Sequence, residues 1–149
     1  MPNRRTALVR ASQLALMLAG LCRDALAADG RAAFEAGTIA GLMQALGAGT
    51  PLESREVSVM APDVAENGAV VPVGVATSLP GVKRLLLLVE KNPSVLAAAF
   101  DVGEFVEPNF TTQVKMGQSS GVMAVALMAD GRVLYAHKAV EVTVGGCGG

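Results

Sequence analysis

Valine recurs at every second position in several short stretches of this chain, and each stretch ends at turn-forming residues. Val57 and Val59 alternate with Glu56 and Ser58, Val71, Val73 and Val75 follow the same rule, and Val140, Val142 and Val144 repeat it at the end. Alternation of period two puts the valines on one side of an extended strand and their neighbours on the other. The breaks fall at Ala61-Pro62-Asp63, at Ala65 to Gly68, at Ser78 to Gly81, at Asn92-Pro93 and at Ala129-Asp130-Gly131. Asn67-Gly68 reads as a turn with positive φ at both residues, and Ala129-Asp130-Gly131 as the hairpin between the last two strands.

Val82 to Val89 contains the continuous run Leu85-Leu86-Leu87-Leu88, too short for a helix and readable as a strand covered on both faces. Thr111 to Met116, Val122 to Met128 and Arg132 to Val144 are further strands, and Leu96 to Phe100 fits either a strand or a helical turn. Met60, Met116, Met123 and Met128 sit at alternating positions and are expected in the core. About seven short strands with no helices between them predict a mainly β fold, an immunoglobulin-like antiparallel β-sandwich. Without a Cys…Trp…Cys pattern the likeness is one of architecture. A short N-terminal helix precedes the strands: apolar residues at 32, 33, 36, 39, 42, 43 and 46 predict an amphipathic helix over Ala32–Leu46, ended by Gly47 and Gly49.

Composition narrows the chemistry. Hydrophobic residues make up 52% of the 149, enough for a proper core, while aromatics are 3% and the net charge is −1. With no basic cluster beyond the first ten residues and few stacking platforms, nucleic-acid binding is not expected. The single histidine and the absence of ligand spacing predict no metal site. Asp63, Glu66, Asp101, Glu104 and Glu107 read as solvated loop carboxylates, and Asn109-Phe110-Thr111 fits a glycosylation sequon. No Ser–His–Asp set or phosphate-binding glycine loop is present, so the chain is not expected to be an enzyme in its own right.

The amino terminus predicts the compartment. Arg4-Arg5 and Arg10 form a basic region, Ala11 to Leu21 is apolar, and Ala25-Leu26-Ala27 offers a small-x-small cleavage site before Ala28. The apolar run is too short to span a membrane, so residues 1–27 read as an export signal rather than a membrane anchor. The arginine pair is twin-arginine-like: Leu8 fits that pattern, whereas Asn3 and Ala7 depart from it. Residues 28–149 then form one domain, with eight basic residues against twelve acidic, a net charge of −4.

Cleavage would discard Cys22 and leave Cys147 alone in an oxidising compartment. Cys147 stands between glycine pairs, Gly145-Gly146 and Gly148-Gly149. Glycine samples both signs of φ, so this ending is expected to be a flexible arm that bares the thiol. Five extended residues reach at most about 18 Å. An odd cysteine in such a place implies a reactive thiol or an intermolecular disulfide. The second option would suit a structural or adhesive exported β-sandwich. His137, ten residues upstream on the same predicted strand, lies about 30 Å from Cys147 if the chain stays extended, and reads as a histidine near a strand edge.

The ending Val140-Glu141-Val142-Thr143-Val144-Gly145-Gly146-Cys147-Gly148-Gly149 resembles the terminal motif of the SoxY family, the sulfur-carrier subunit of the SoxYZ thiosulfate-oxidation complex. Thr50-Pro51-Leu52-Glu53, the run Ala61 to Gly68, Val71-Pro72-Val73 and Asn92-Pro93 are similar to family segments in the same order. The resemblance implies a periplasmic carrier that pairs with a SoxZ-like subunit and holds sulfur on Cys147 as an S-thiosulfonate or persulfide. Gly145, Gly146, Gly148 and Gly149 would supply flexibility and access. It implies no bound cofactor and three transient partners: a SoxAX-type haem protein, a SoxB-type hydrolase and, where present, a SoxCD-type dehydrogenase. A second kind of sulfur carrier, ubiquitin-like with a C-terminal thiocarboxylate, needs ATP, which an exported protein lacks.

Overall fold

The computed structural model describes residues 30–143, which build a two-sheet β-sandwich of the immunoglobulin-like kind. Among the described residues, nine strands follow a helical region. They are β1 (Leu52–Glu53), β2 (Val57–Met60), β3 (Val64–Ala65), β4 (Val71–Thr77), β5 (Val82–Val89), β6 (Leu96–Asp101), β7 (Asn109–Val114), β8 (Ser120–Met128) and β9 (Val133–Val142). The large sheet runs β1-β9-β8-β5-β6, with β3 also pairing to β9, and the small sheet runs β2-β4-β7.

The leucine run explains the layering. Leu85 and Leu87 point between the sheets, against Val71, Val73 and Val75 of β4 and Val122, Ala124 and Ala126 of β8. Leu86 and Leu88 point to the opposite face, where Leu42 and Met43 of the helix cover them. All four leucines are fully buried, each worth about 1.5–3 kcal/mol of apolar transfer. That is why β5 sits inside the large sheet, between β8 and β6.

The helix differs from the expected single span. A helical turn over residues 30–35 breaks at Ala36–Thr38, and a second helix, α1 (Ile39–Ala45), begins afresh. Thr38 is extended and its Oγ1 accepts the Gly41 N–H at 3.1 Å, a capping bond that competes with helix continuation. The Ala36 carbonyl accepts the Val95 N–H at 3.0 Å, and Ser94 Oγ donates to the Phe34 carbonyl. The periodicity thus survives across the break while the backbone is tied to the strand layer. Gly47, at φ +60°, ends α1 as expected.

Leu96–Asp101 is a strand, pairing antiparallel to β5. The two-residue strands β1 and β3 are additions to the expected set, and both pair parallel to β9, so the sandwich is not wholly antiparallel. The turn at Asn67-Gly68 forms without positive φ at either residue. Asn67 Oδ1 instead accepts the Ala69 N–H at 3.0 Å, and the Asn67 carbonyl accepts Val70 N–H. Met116, Met123 and Met128 are buried, but Met60 lies half exposed over Gly74 on the outer face of the small sheet.

Candidate functional site

β9 is the strand that leads into the motif singled out above. Its inner residues Leu134 and Val140 are buried in the inter-sheet core, with Ala136 and Val142 packed against it, while Glu141 and Thr143 point outward. The alternation therefore holds to the last described residue. Val144, Gly145, Gly146, Cys147, Gly148 and Gly149 lie outside the described residues, as does the segment 1–27.

Both sides of the strand's end are pinned. On one side, Glu141 N–H donates to the Asp63 carbonyl at 2.9 Å and Thr143 N–H to the Ala65 carbonyl at 3.1 Å. On the other, Val142 N–H donates to Ser119 Oγ at 2.9 Å. Lys138 reaches across, its Nζ donating to the Ala61 carbonyl and lying 3.0 Å from Asp63 Oδ1. Gly68 closes the packing: a Cβ there would lie 2.9 Å from Val142 Cγ1 and well inside contact distance of the Met116 carbonyl oxygen. A residue anchored on so many sides holds its position when the chain beyond it is pulled. Replacing Ser119 by Ala is expected to cost about 0.5–1.5 kcal/mol and to speed hydrogen exchange at the Val142 amide more than at Val140; equal protection in both proteins would contradict this.

His137 stands apart from this root. It pairs with Met123 in register and faces outward, with Nε2 3.7 Å from Glu90 Oε1 above Gly121. The four residues from Thr143 to Cys147 span at most about 14 Å, and β9 from His137 to Thr143 spans about 20 Å. Only an arm folded straight back without a turn would approach the imidazole, so the bland reading of His137 stands. The carboxylates read as lying in loops are exposed, but Asp101 is the last residue of β6 rather than a loop residue; Asp63 pairs with Lys138, and Asp101 with Arg84 at 2.5 Å. In the β8–β9 hairpin, the Arg132 backbone N–H and then its guanidinium hold the Asp130 carboxyl below its ordinary range. Among the described residues no three His, Cys, Asp or Glu side chains gather as a metal-ligand set.

The signal that sequence reading missed is the double clamp itself. Residues 61–68 were legible as a break and a turn, but their service as a parallel strap on β9 depends on a pairing 77 residues apart, as between Thr143 Oγ1 and the Glu66 carbonyl.

The family model described as "Sulfur oxidation protein SoxY" matches residues 42–147 of this chain. The chain belongs to the SoxY family. The solved sulfur carrier protein SoxY from Chlorobium limicola f thiosulfatophilum is 31% identical, with a TM-score of 0.63, over 70% of this chain and 94% of that one. A superoxide reductase (neelaredoxin) from Ignicoccus hospitalis shares the fold alone, at 18% identity and a TM-score of 0.53, over 60% of this chain and 81% of that one. Among curated proteins, none matches the chain in sequence. The SoxY match spans the whole sandwich after the first turn of α1 and ends on Cys147. The clamped end of β9 thus brings the described residues to Thr143, four positions before Cys147, where the match ends.

Proposed function

We propose that this protein is a covalent carrier in periplasmic thiosulfate oxidation, holding sulfur intermediates on Cys147 Sγ while partner enzymes act on them. The observation that carries the reading is the β9 end, pinned on both sides up to Thr143, four residues before the cysteine on which the SoxY match ends. A carrier needs a fixed base and a thiol at the end of a short tether. Gly145, Gly146, Gly148 and Gly149 supply the tether with a small cross-section that can enter a partner's slot.

The chemistry balances as follows. The Cys147 thiolate and thiosulfate join through a new S–S bond, giving an S-thiosulfonate, and two electrons pass to a SoxAX-type haem protein. Water then cleaves the bond between sulfane sulfur and sulfonate at a SoxB-type hydrolase, releasing sulfate and leaving a persulfide on Cys147. A SoxCD-type dehydrogenase, where present, oxidises that sulfane sulfur further. The carrier contributes the nucleophilic sulfur and its presentation; an ordinary thiol with a pKa of about 8.5 is only a few per cent ionised at pH 7. Activation therefore falls to the partners, and the chain itself is not an enzyme. A SoxZ-like subunit forms the heterodimer with it, and residues 1–27 direct export.

Intact-mass measurement of the exported protein from thiosulfate-grown cells, with and without reductant, tests this. Reductant-sensitive adducts of thiosulfonate or sulfane mass on the peptide holding Cys147 are expected. A single stable disulfide indifferent to thiosulfate would instead favour the structural or adhesive sandwich.

A further inference from the structure

Phe105 is 95% exposed, at the tip of the loop that joins β6 to β7. Val106 beside it is 45% exposed, and the other exposed large apolar residues, Phe34, Leu52, Met60, Val64 and Val70, lie between 47% and 61%. Scattered half-exposed side chains are normal on any surface. A phenylalanine wholly in water is different, because it gives up nearly all the burial available to its ring.

The loop holds that ring out on a firm base. Val102 N–H donates to the Lys83 carbonyl at 2.9 Å, Val106 N–H to the Gly103 carbonyl at 3.1 Å and Thr77 N–H to the Pro108 carbonyl at 3.0 Å. Beneath the loop, the rings of Phe100 on β6 and Phe110 on β7 stack with centroids 4.6 Å apart and 2° between planes. A side chain presented on a braced loop loses little freedom when a partner receives it. Glu104 and Glu107 flank it, exposed and without an ion pair among the described residues, whereas nearby Arg84 and Arg132 are tied to Asp101 and Asp130.

Its position says which partner it suits. Asp101 pairs with Arg84, and Arg84 with Leu127, so the loop leaves the sheet at the Val133 end of β9. The arm leaves at the other end, about 30 Å away along the strand, beyond the reach of about 14 Å that four residues give. The arm cannot reach a site at Phe105, and a standing partner docked there would leave the arm's end open to enzymes.

We infer that the Phe105 loop is the anchor for the carrier's standing partner subunit, which offers an apolar socket edged with lysine or arginine. The inference rests on the carrier reading above. The test is the affinity of the purified mature protein for its SoxZ-type subunit by titration calorimetry, at two salt concentrations. Phe105→Ser is expected to weaken binding at least about tenfold, with the circular dichroism and melting temperature of the parent. Glu104→Lys with Glu107→Lys is expected to weaken it by about threefold or more at low salt, less at high salt. Cys147→Ala should bind like the parent, so a failure of sulfur loading leaves the docking result readable. Unchanged affinity in Phe105→Ser overturns the inference. So does a Phe105→Ser protein that keeps its subunit but is loaded slowly by the conjugating enzyme, since the loop would then serve an enzyme.

Discussion

Cys147→Ala is expected to lose all thiosulfate-derived mass while keeping the melting temperature of the parent. The loss should be complete rather than graded, because the step forms a bond to sulfur and alanine has no sulfur to offer. Cys147→Ser should fail equally: an alcohol oxygen cannot carry a persulfide. Stability should stay within about 0.5 kcal/mol, as is usual for changes away from packed or hydrogen-bonded positions. The contacts described for the sandwich, from the leucines of β5 to the clamp at Thr143, are made among residues 30–143. The measurement is intact mass after incubation with thiosulfate and the conjugating partner, alongside a thermal melt. Label persisting on Cys147→Ala would sink the assignment. Label found on Cys22, the chain's other cysteine, would also show that the segment 1–27 is retained, against the expected cleavage before Ala28.

The parts of this protein that the sequence displays are those governed by short-range rules. Period-two valines mark β2, β4 and β9 because one face of each is buried, and the four leucines of β5 mark a strand buried on both. Gly131, at φ +91° in the β8–β9 hairpin, is legible because so few other residues accept that backbone. What escapes is set by distant pairing. A two-residue strand such as β3 has no period to show, and its role appears only when Val64 and Ala65 meet Glu141 and Val142. The break at Ala36–Thr38 is hidden for the opposite reason: the apolar spacing continues through it, and only the Val95 N–H and the Thr38 cap reveal that the helix has stopped. The firm end of β9 was legible from its alternating valines, whereas the strap and the Ser119 bond that pin it on both sides were not.

That base is the subject of the second large effect. Gly68→Ala is expected to lower stability by about 1–3 kcal/mol, the usual range for overpacking a tight site. Gly68 does not occupy the left-handed region, so the cost is one of space. The new methyl would press into the Met116 carbonyl oxygen and come within 2.9 Å of Val142 Cγ1. Neither neighbour yields easily. Met116 is fully buried and its N–H already donates to the Gly68 carbonyl at 2.7 Å, so the oxygen belongs to a segment that is held in place. Relief must come from the segment that carries residue 68, by moving the strap away from Met116 and Val142 together. The same movement breaks the bonds from Thr143 to Ala65 and from Glu141 to Asp63, which hold the root of the arm. A melting temperature lower by several degrees should therefore be accompanied by faster exchange at the amides of 141 to 143 than at those of β5. Destabilisation with uniform exchange would mean that the strap and β9 shift together and that the clamp survives. Localised loosening with slower sulfur loading, at a temperature where the fold is intact, would tie the rigidity of the root directly to the delivery of Cys147.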